Sequence, residues 1–215
     1  MKNNITELVF IIDKSGSMSG LEKDTIGGFN SMLEKQRGEE GICHISTVFF
    51  SHYSEVIHNR RPIAEVEPLT EKDYIAGGST ALLDALGDAI THTIRVQREQ
   101  EQDKRADNVV FVIITDGEEN ASRRFSSREI KEMISHEKEK YGWEFIFLGA
   151  NIDAVETASR YGIEAKRAHN YVCDKRGVDL NFMAMERIVR EVRTKGSISD
   201  DWAEEIDRDY KKRGR

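Results

Sequence analysis

Two acids and three hydroxyls in this sequence are spaced as a hard cation requires. Asp13, Ser15 and Ser17 fall in the stretch Asp13-Lys14-Ser15-Gly16-Ser17, Thr80 ends Gly77-Gly78-Ser79-Thr80, and Asp116 is the centre of Thr115-Asp116-Gly117. All five offer oxygen. Mg²⁺ takes near-octahedral oxygen at ~2.0–2.1 Å and keeps several waters. Mn²⁺ and Ca²⁺ accept the same kind of donor. No Cys or His lies inside the three stretches, which points away from zinc and copper. Ser15 and Ser17 stand two apart, so an extended loop aims both hydroxyls the same way, and Gly16 between them lets the chain turn without a Cβ clash. The two carboxylates balance the charge of a divalent ion. Five protein groups leave one octahedral position for an external oxygen.

The elements around these stretches fix where they end up. Strands and helices alternate along the chain, which predicts a parallel sheet covered on both faces. Residues 8–12 and 109–114 are continuous apolar runs, the second within a strand expected at 108–114, as central strands buried on both sides require. Helices are expected at 21–36, 81–98, 127–141, 153–161 and 178–195, and further strands at 45–50, 56–59, 144–148 and 170–173. The short polar link 51–55 predicts a hairpin, so one edge of the sheet is antiparallel. In such sheets ligands bind outside the carboxyl ends of the strands. Asp13 and Asp116 follow the two central strands, and Thr80 precedes a helix. Gly27-Gly28 within the first helix costs about 2 kcal/mol against two alanines and implies close packing of that helix on the sheet.

Each motif alone has a plainer reading. Asp13 suits a strand-end turn, Thr80 a helix cap, and Asp116-Gly117 a type I′ turn. Those readings leave three oxygen-rich loops at one sheet edge unexplained. A dehalogenase-like phosphatase with Asp13 as nucleophile needs a second acid two residues on, where this chain has Ser15. Glu118 and Glu119, beside Asp116, offer a catalytic pair or a means of tuning the site's charge. No Gly-x-Ser-x-Gly elbow or P-loop is present. His44, His52 and His58 gather around the expected hairpin, but no Cys or carboxylate motif completes a zinc site there.

Together the three stretches resemble the metal-ion-dependent adhesion site (MIDAS) of von Willebrand factor A (vWA) domains. All five positions carry the expected types, and the element order over about residues 5–195 fits. The whole chain is similar to small cytoplasmic bacterial and phage proteins made of little beyond this domain. The resemblance implies a Rossmann-like vWA fold with a mostly parallel sheet, one antiparallel edge strand and helices on both faces. It implies that Ser15, Ser17 and, in one state, Thr80 bind Mg²⁺, Mn²⁺ or Ca²⁺ directly, while Asp13 and Asp116 act through water. A partner protein then supplies an Asp or Glu carboxylate as the sixth ligand, and metal engagement is coupled to the last helix. This is a binding module rather than an enzyme; a metal-dependent phosphoester hydrolase is the alternative. Lys14, Met18, Glu118 and Glu119 are the expected rim.

Composition agrees. With 38% hydrophobic and 33% charged residues, the 215-residue chain can bury a core. A domain at 1–196 and a charged tail at 197–215 are expected, the tail solvated or carrying a frayed helix at 202–210. The net charge of −7 disfavours nucleic acid. No apolar run spans a bilayer and no secretory segment opens the chain, so a cytoplasmic monomer is expected. In the sheet order that the resemblance implies, the strand after Cys43 and the strand holding Cys173 lie on opposite sides of the first strand, so both cysteines are expected to be free thiols.

Overall fold

The computed structural model describes residues 4–214. Six strands form one sheet: β1 (Ile5–Asp13), β2 (Ile42–Phe50), β3 (Ser54–Pro62), β4 (Asn108–Thr115), β5 (Glu144–Gly149) and β6 (Ala168–Asn170). Their order is β3-β2-β1-β4-β5-β6. The β2–β3 hairpin is antiparallel and every other pairing is parallel. All nine residues of β1 are buried, so its two faces feed two cores. Leu8, Phe10 and Ile12 pack with α1 (Glu22–Arg37) and α5 (Lys175–Lys195), while Val9 and Ile11 pack with α2 (Leu82–Glu99), α3 (Ser127–Tyr141) and α4 (Ala154–Arg160). This is the expected α/β fold, with helices on both faces.

The chain leaves β1 toward β2 on one side and returns to β4 on the other. That reversal makes the carboxyl ends of β1 and β4 the topological switch point of the sheet, the place where such folds bind ligands, and Asp13 and Asp116 lie there. Helix ends are set by local chemistry. Ser126 and Glu129 form a reciprocal capping box at the start of α3. Asp174 caps α5 through the Gly177 N–H at 2.9 Å, and Gly196 ends it in the left-handed region at φ 69°.

Three sequence expectations are corrected. The last strand is Ala168–Asn170 rather than 170–173. The Tyr171 N–H still bonds Gly149 O at 3.0 Å, after which the chain turns into the Asp174 cap, so Cys173 lies beyond the sheet. Second, the Gly27-Gly28 pair serves helix–helix rather than helix–sheet packing: a Cβ on Gly28 would sit 2.3 Å from the Phe182 ring of α5, whereas Gly27 faces open space. Third, residues after Gly196 are no solvated tail. Ile198, Trp202, Ala203 and Ile206 are buried in the main core, and Glu204–Arg213 form α6. This segment covers the edge strand β6: Trp202 Nε1 donates to Lys166 O at 3.0 Å, and His169 Nδ1 meets Asp207 Oδ1 at 2.6 Å. Covering an edge strand removes a template for unwanted pairing. Cys43 on β2 and Cys173 after β6 are both free, on opposite sides of β1.

Candidate metal centre

The three loops at the carboxyl edge are laced together by backbone bonds. Gly16 N–H donates to Gly78 O at 3.0 Å and Gly77 N–H to Lys14 O at 2.8 Å, tying the first loop to the second. Gly78 holds φ at 85°, and a Cβ there would come within 2.5 Å of His52 Nδ1, so the turn needs glycine. The second loop is tied to the third from both sides of Thr80. Its N–H donates to Asn120 Oδ1 at 3.0 Å, and its carbonyl accepts from Asn120 N at 3.0 Å. Glu119 then binds the N-terminus of α2, accepting from Leu83 N at 2.9 Å while its carboxylate also takes Ala121 N and Ser122 N. A carboxylate at a helix N-terminus meets unpaired N–H groups and the positive end of the helix dipole.

On this frame the side chains converge. Ser15 Oγ and Ser17 Oγ are 3.1 Å apart, and the Ser17 hydroxyl donates to Asp116 Oδ1 at 2.6 Å. Gly117 leaves the neighbouring space free of a side chain: a Cβ there would lie 3.6 Å from Ser17 Oγ and 3.8 Å from Thr80 Oγ1. The Thr80 hydroxyl therefore faces the same spot as Ser17. Ser17 is exposed while Asp13, Ser15, Thr80 and Asp116 are buried, so the cluster opens to solvent on one side. Asp13 is already committed. Its Oδ1 accepts the Ser15 N–H and its Oδ2 the Thr115 hydroxyl, each at 2.7 Å. Burial pushes its carboxyl above the usual range, against the pull of the Ser15 and Thr115 bonds. Asp13 thus shapes the loop that presents the serines.

The donor set fits a divalent ion. Two hydroxyl oxygens 3.1 Å apart match the edge of an octahedron of oxygens at ~2.1 Å, about 3.0 Å. Among the described residues no group of three His, Cys, Asp or Glu is placed to hold a metal, so any ion here depends on the hydroxyls.

Most of the expected rim lies elsewhere. Lys14 is buried and paired with Glu55 at 2.5 Å, Met18 is in the core, and Glu119 is spent on backbone amides; Glu118 alone of the four is exposed as expected. The same amides leave Glu119 unfit for a catalytic pair with Glu118. Of the hairpin histidines, His58 bonds Thr47 Oγ1 at 3.0 Å and stacks on Phe29.

The structure adds residues that the motifs did not flag. Thr115 holds Asp13, and Tyr74 donates its hydroxyl to the Asp13 carbonyl. Asn151 Nδ2 bonds Asp116 O at 3.3 Å. Cys173 Sγ lies 3.6 Å from Asp116 Oδ2. Burial, reinforced by the Asp116 charge, pushes that thiol up to about 12. Thr115 was adjacent to a motif residue and could have been found from sequence. Tyr74, Asn151 and Cys173 reach the site only through tertiary packing.

The family model described as the von Willebrand factor type A domain matches residues 7–180. No curated protein matches the sequence. Among solved structures, a von Willebrand factor type A protein from Catenulispora acidiphila superposes with TM-score 0.57 at 14% identity, covering 86% of this chain and 42% of that one. Manganese-loaded TRAP protein from Plasmodium vivax gives TM-score 0.55 at 15% identity, over 84% of this chain and 73% of that one. Proximal thread matrix protein 1 from the mussel byssus, with a zinc-occupied MIDAS motif, gives 0.54 at 12% identity, over 86% and 46%. The chain thus spans less than half the length of two of these proteins, and identities this low speak for the fold alone. Among the described residues no helix is long and apolar enough to cross a membrane.

Proposed function

We propose that this chain, which belongs to the von Willebrand factor type A domain family, is a non-enzymatic module that binds a protein partner through a divalent ion. The observation that carries this reading is the contact of Ser17 Oγ with both Ser15 Oγ and Asp116 Oδ1, which joins two loops into one oxygen cluster open to solvent. Ser15, Ser17 and Thr80 would hold the ion through their hydroxyls. Asp116 balances its charge from beside Ser17, and Asp13 fixes the Ser15 backbone. When bound, the ion presents positive charge to a carboxylate from Asp or Glu on the partner. The oxygen set of the three loops suits Mg²⁺. Manganese in the Plasmodium protein and zinc in the mussel one support a divalent ion in this fold. The same reading makes the protein a cytoplasmic monomer, supported by two free cysteines that the topology keeps apart.

Titration calorimetry with Mg²⁺ and Mn²⁺ tests the centre. One equivalent binds the wild type, and Ser17→Ala weakens binding by on the order of tenfold or more. Unchanged affinity in Ser17→Ala and Asp116→Ala would overturn the assignment. Partner capture then vanishes with chelator and in Thr80→Ala. Turnover of a generic phosphate ester that requires Mg²⁺ and is lost in Ser17→Ala would favour the hydrolase instead.

A further inference from the structure

Cys173 stands at the edge of the oxygen cluster although no motif places it there. The chain leaves β6 at Asn170, runs through Tyr171 and Cys173, and enters α5 at the Asp174 cap. The half-buried Cys173 thiol donates to Asp116 Oδ2 across 3.6 Å, while Asp116 Oδ1 accepts from Ser17 at 2.6 Å. One carboxylate therefore has a hydroxyl on one oxygen and a sulfur on the other. A second observation lies in the same loop. Tyr171, two residues before Cys173, is buried and its hydroxyl has no hydrogen-bond partner. It is within electrostatic reach of Cys173, Asp116, Tyr74 and Asp13. A buried hydroxyl left unpaired is costly, and a ligand seated among these residues relieves that cost.

We propose that Cys173 is a sulfur donor to the ion of this centre, so that a borderline thiophilic ion such as Zn²⁺ or Co²⁺ is held through Cys173 and Asp116 as well as the hydroxyls. This rests on the reading that an ion binds among the three loops. Zinc takes thiolate at ~2.3 Å and carboxylate oxygen at ~2.0–2.2 Å, so two such donors on one ion of five or six ligands lie about 3.1–3.8 Å apart for bond angles of roughly 90–120°. The observed 3.6 Å separation meets that spacing without movement of the chain. On coordination the sulfur lone pair goes to the ion, and the thiol proton, now shared with Asp116, leaves to solvent. The all-oxygen reading of the motifs turned away from zinc because it counted no sulfur; the fold supplies one from a loop 57 positions beyond Asp116.

Zinc outbinds magnesium at most sites of mixed donors, so the order of affinities is no test; dependence on Cys173 is. The purified full chain is titrated with Co²⁺ and Zn²⁺, and alkylation of each cysteine is followed by mass spectrometry. The buried Cys43 serves as the internal control. The expected result is a sulfur-to-cobalt charge-transfer band in the wild type, absent in Cys173→Ser. Zn²⁺ slows alkylation of Cys173 but not of Cys43, and Cys173→Ser loses on the order of tenfold or more in Zn²⁺ affinity while Mg²⁺ affinity changes by less than about threefold. Ser17→Ala weakens Zn²⁺ binding too, because the centre is one. If Zn²⁺ binds wild type and Cys173→Ser alike and leaves alkylation unchanged, Cys173 is no ligand and the oxygen centre stands without it. Zinc binding that needs Cys173 but not Ser17 overturns the shared centre. If no divalent ion binds at all, both readings fall. Circular-dichroism melts of both variants exclude unfolding as the cause.

Discussion

The Ser17 hydroxyl donates to Asp116 Oδ1 at 2.6 Å across 99 positions of sequence. Only the parallel pairing of β1 with β4, in register from Thr6–Asn108 to Ile12–Ile114, brings the two loops level. That contact is a property of the register: a slip of one residue turns every side chain to the opposite face and parts the two oxygens.

Asp116→Ala tests what that contact is for. The variant loses on the order of tenfold or more in Mg²⁺ and Mn²⁺ affinity. Asp116 also raises the cost of charging the buried Asp13, so its removal relieves repulsion between the two acids when no ion is bound. The metal-free variant therefore melts no lower than the metal-free wild type, while its melting point no longer rises with added Mn²⁺. Scanning calorimetry with and without ion reads both effects. A metal-free variant that melts well below the wild type would make Asp116 a structural residue first.

The paired glycines of α1 give opposite outcomes. At Gly28 an added methyl falls 2.3 Å from the Phe182 ring, so Gly28→Ala forces α1 and α5 apart. The overpacking costs about 1–3 kcal/mol, more than the ~1 kcal/mol that alanine gains in a helix. At Gly27 the methyl meets nothing within 4 Å, and Gly27→Ala gains up to about 1 kcal/mol. Urea denaturation of the two variants separates them. Equal shifts of the same sign would mean that the helices are free to part.

Much of this was legible in the sequence, and the residues show why. The apolar runs of β1 and β4 are buried on both faces, and that condition writes itself into every residue. The motif loops follow directly from those runs. Glu119, by contrast, looked like a free acid near the site, because nothing in sequence says that it will meet Leu83 N–H, 36 positions away. Cys173 looked like a small hydrophobe because the strand expected at 170–173 was taken to include it. That strand ends at Asn170 instead, a short edge strand with little apolar pattern of its own. Charge density hid the docking of α6 rather than its helicity: Ile206 and, just before the helix, Trp202 are its buried apolar anchors, and apart from Tyr210 the rest of the helix is acids and bases.

Glu7 makes stability depend on pH. It lies buried on β1, where desolvation pushes its carboxyl up to about 7 from an ordinary 4.5, against the pull of Arg60, whose Nε sits 2.9 Å from Glu7 Oε2. A carboxyl with a raised folded value binds more protons in the native state, so its contribution falls as pH rises from 4.5 to about 7. The full change is on the order of 3 kcal/mol. His44 and His58, whose burial lowers their values, act in the opposite sense in part of that window, losing stability as pH falls. The readout is therefore the difference between wild type and Glu7→Gln. Measured by urea denaturation, the variant gains on the wild type between pH 5 and pH 8. A constant difference across that range would show that Arg60 keeps Glu7 charged throughout.

The segment after Gly196 contributes to the fold rather than trailing from it. Trp202 is 2% exposed, its ring meets His169 edge-on at 4.9 Å between centroids, and its indole N–H is spent on Lys166 O. Trp202→Ala removes a large buried ring and leaves that carbonyl unpaired, at a cost of about 3–5 kcal/mol. Arg208→Ala on the outer face of α6 removes only an exposed pair with Glu204, and such pairs contribute about 0–1 kcal/mol. Arg213 is the informative third position. It bridges Asp209 on its own helix and Asp174, the cap of α5 that follows Cys173. Arg213→Ala frees both acids from the charge that holds them below the usual carboxylate range. Stability from those two acids is present at neutral pH and lost as pH falls through their lowered values, so the variant is weaker than wild type at pH 7 and approaches it in acid. Denaturation of the three variants at pH 7, and of Arg213→Ala again below pH 4, orders them as Trp202, Arg213, Arg208. If Trp202→Ala is as stable as Arg208→Ala, residues 197–213 do not dock in solution and the domain ends with α5.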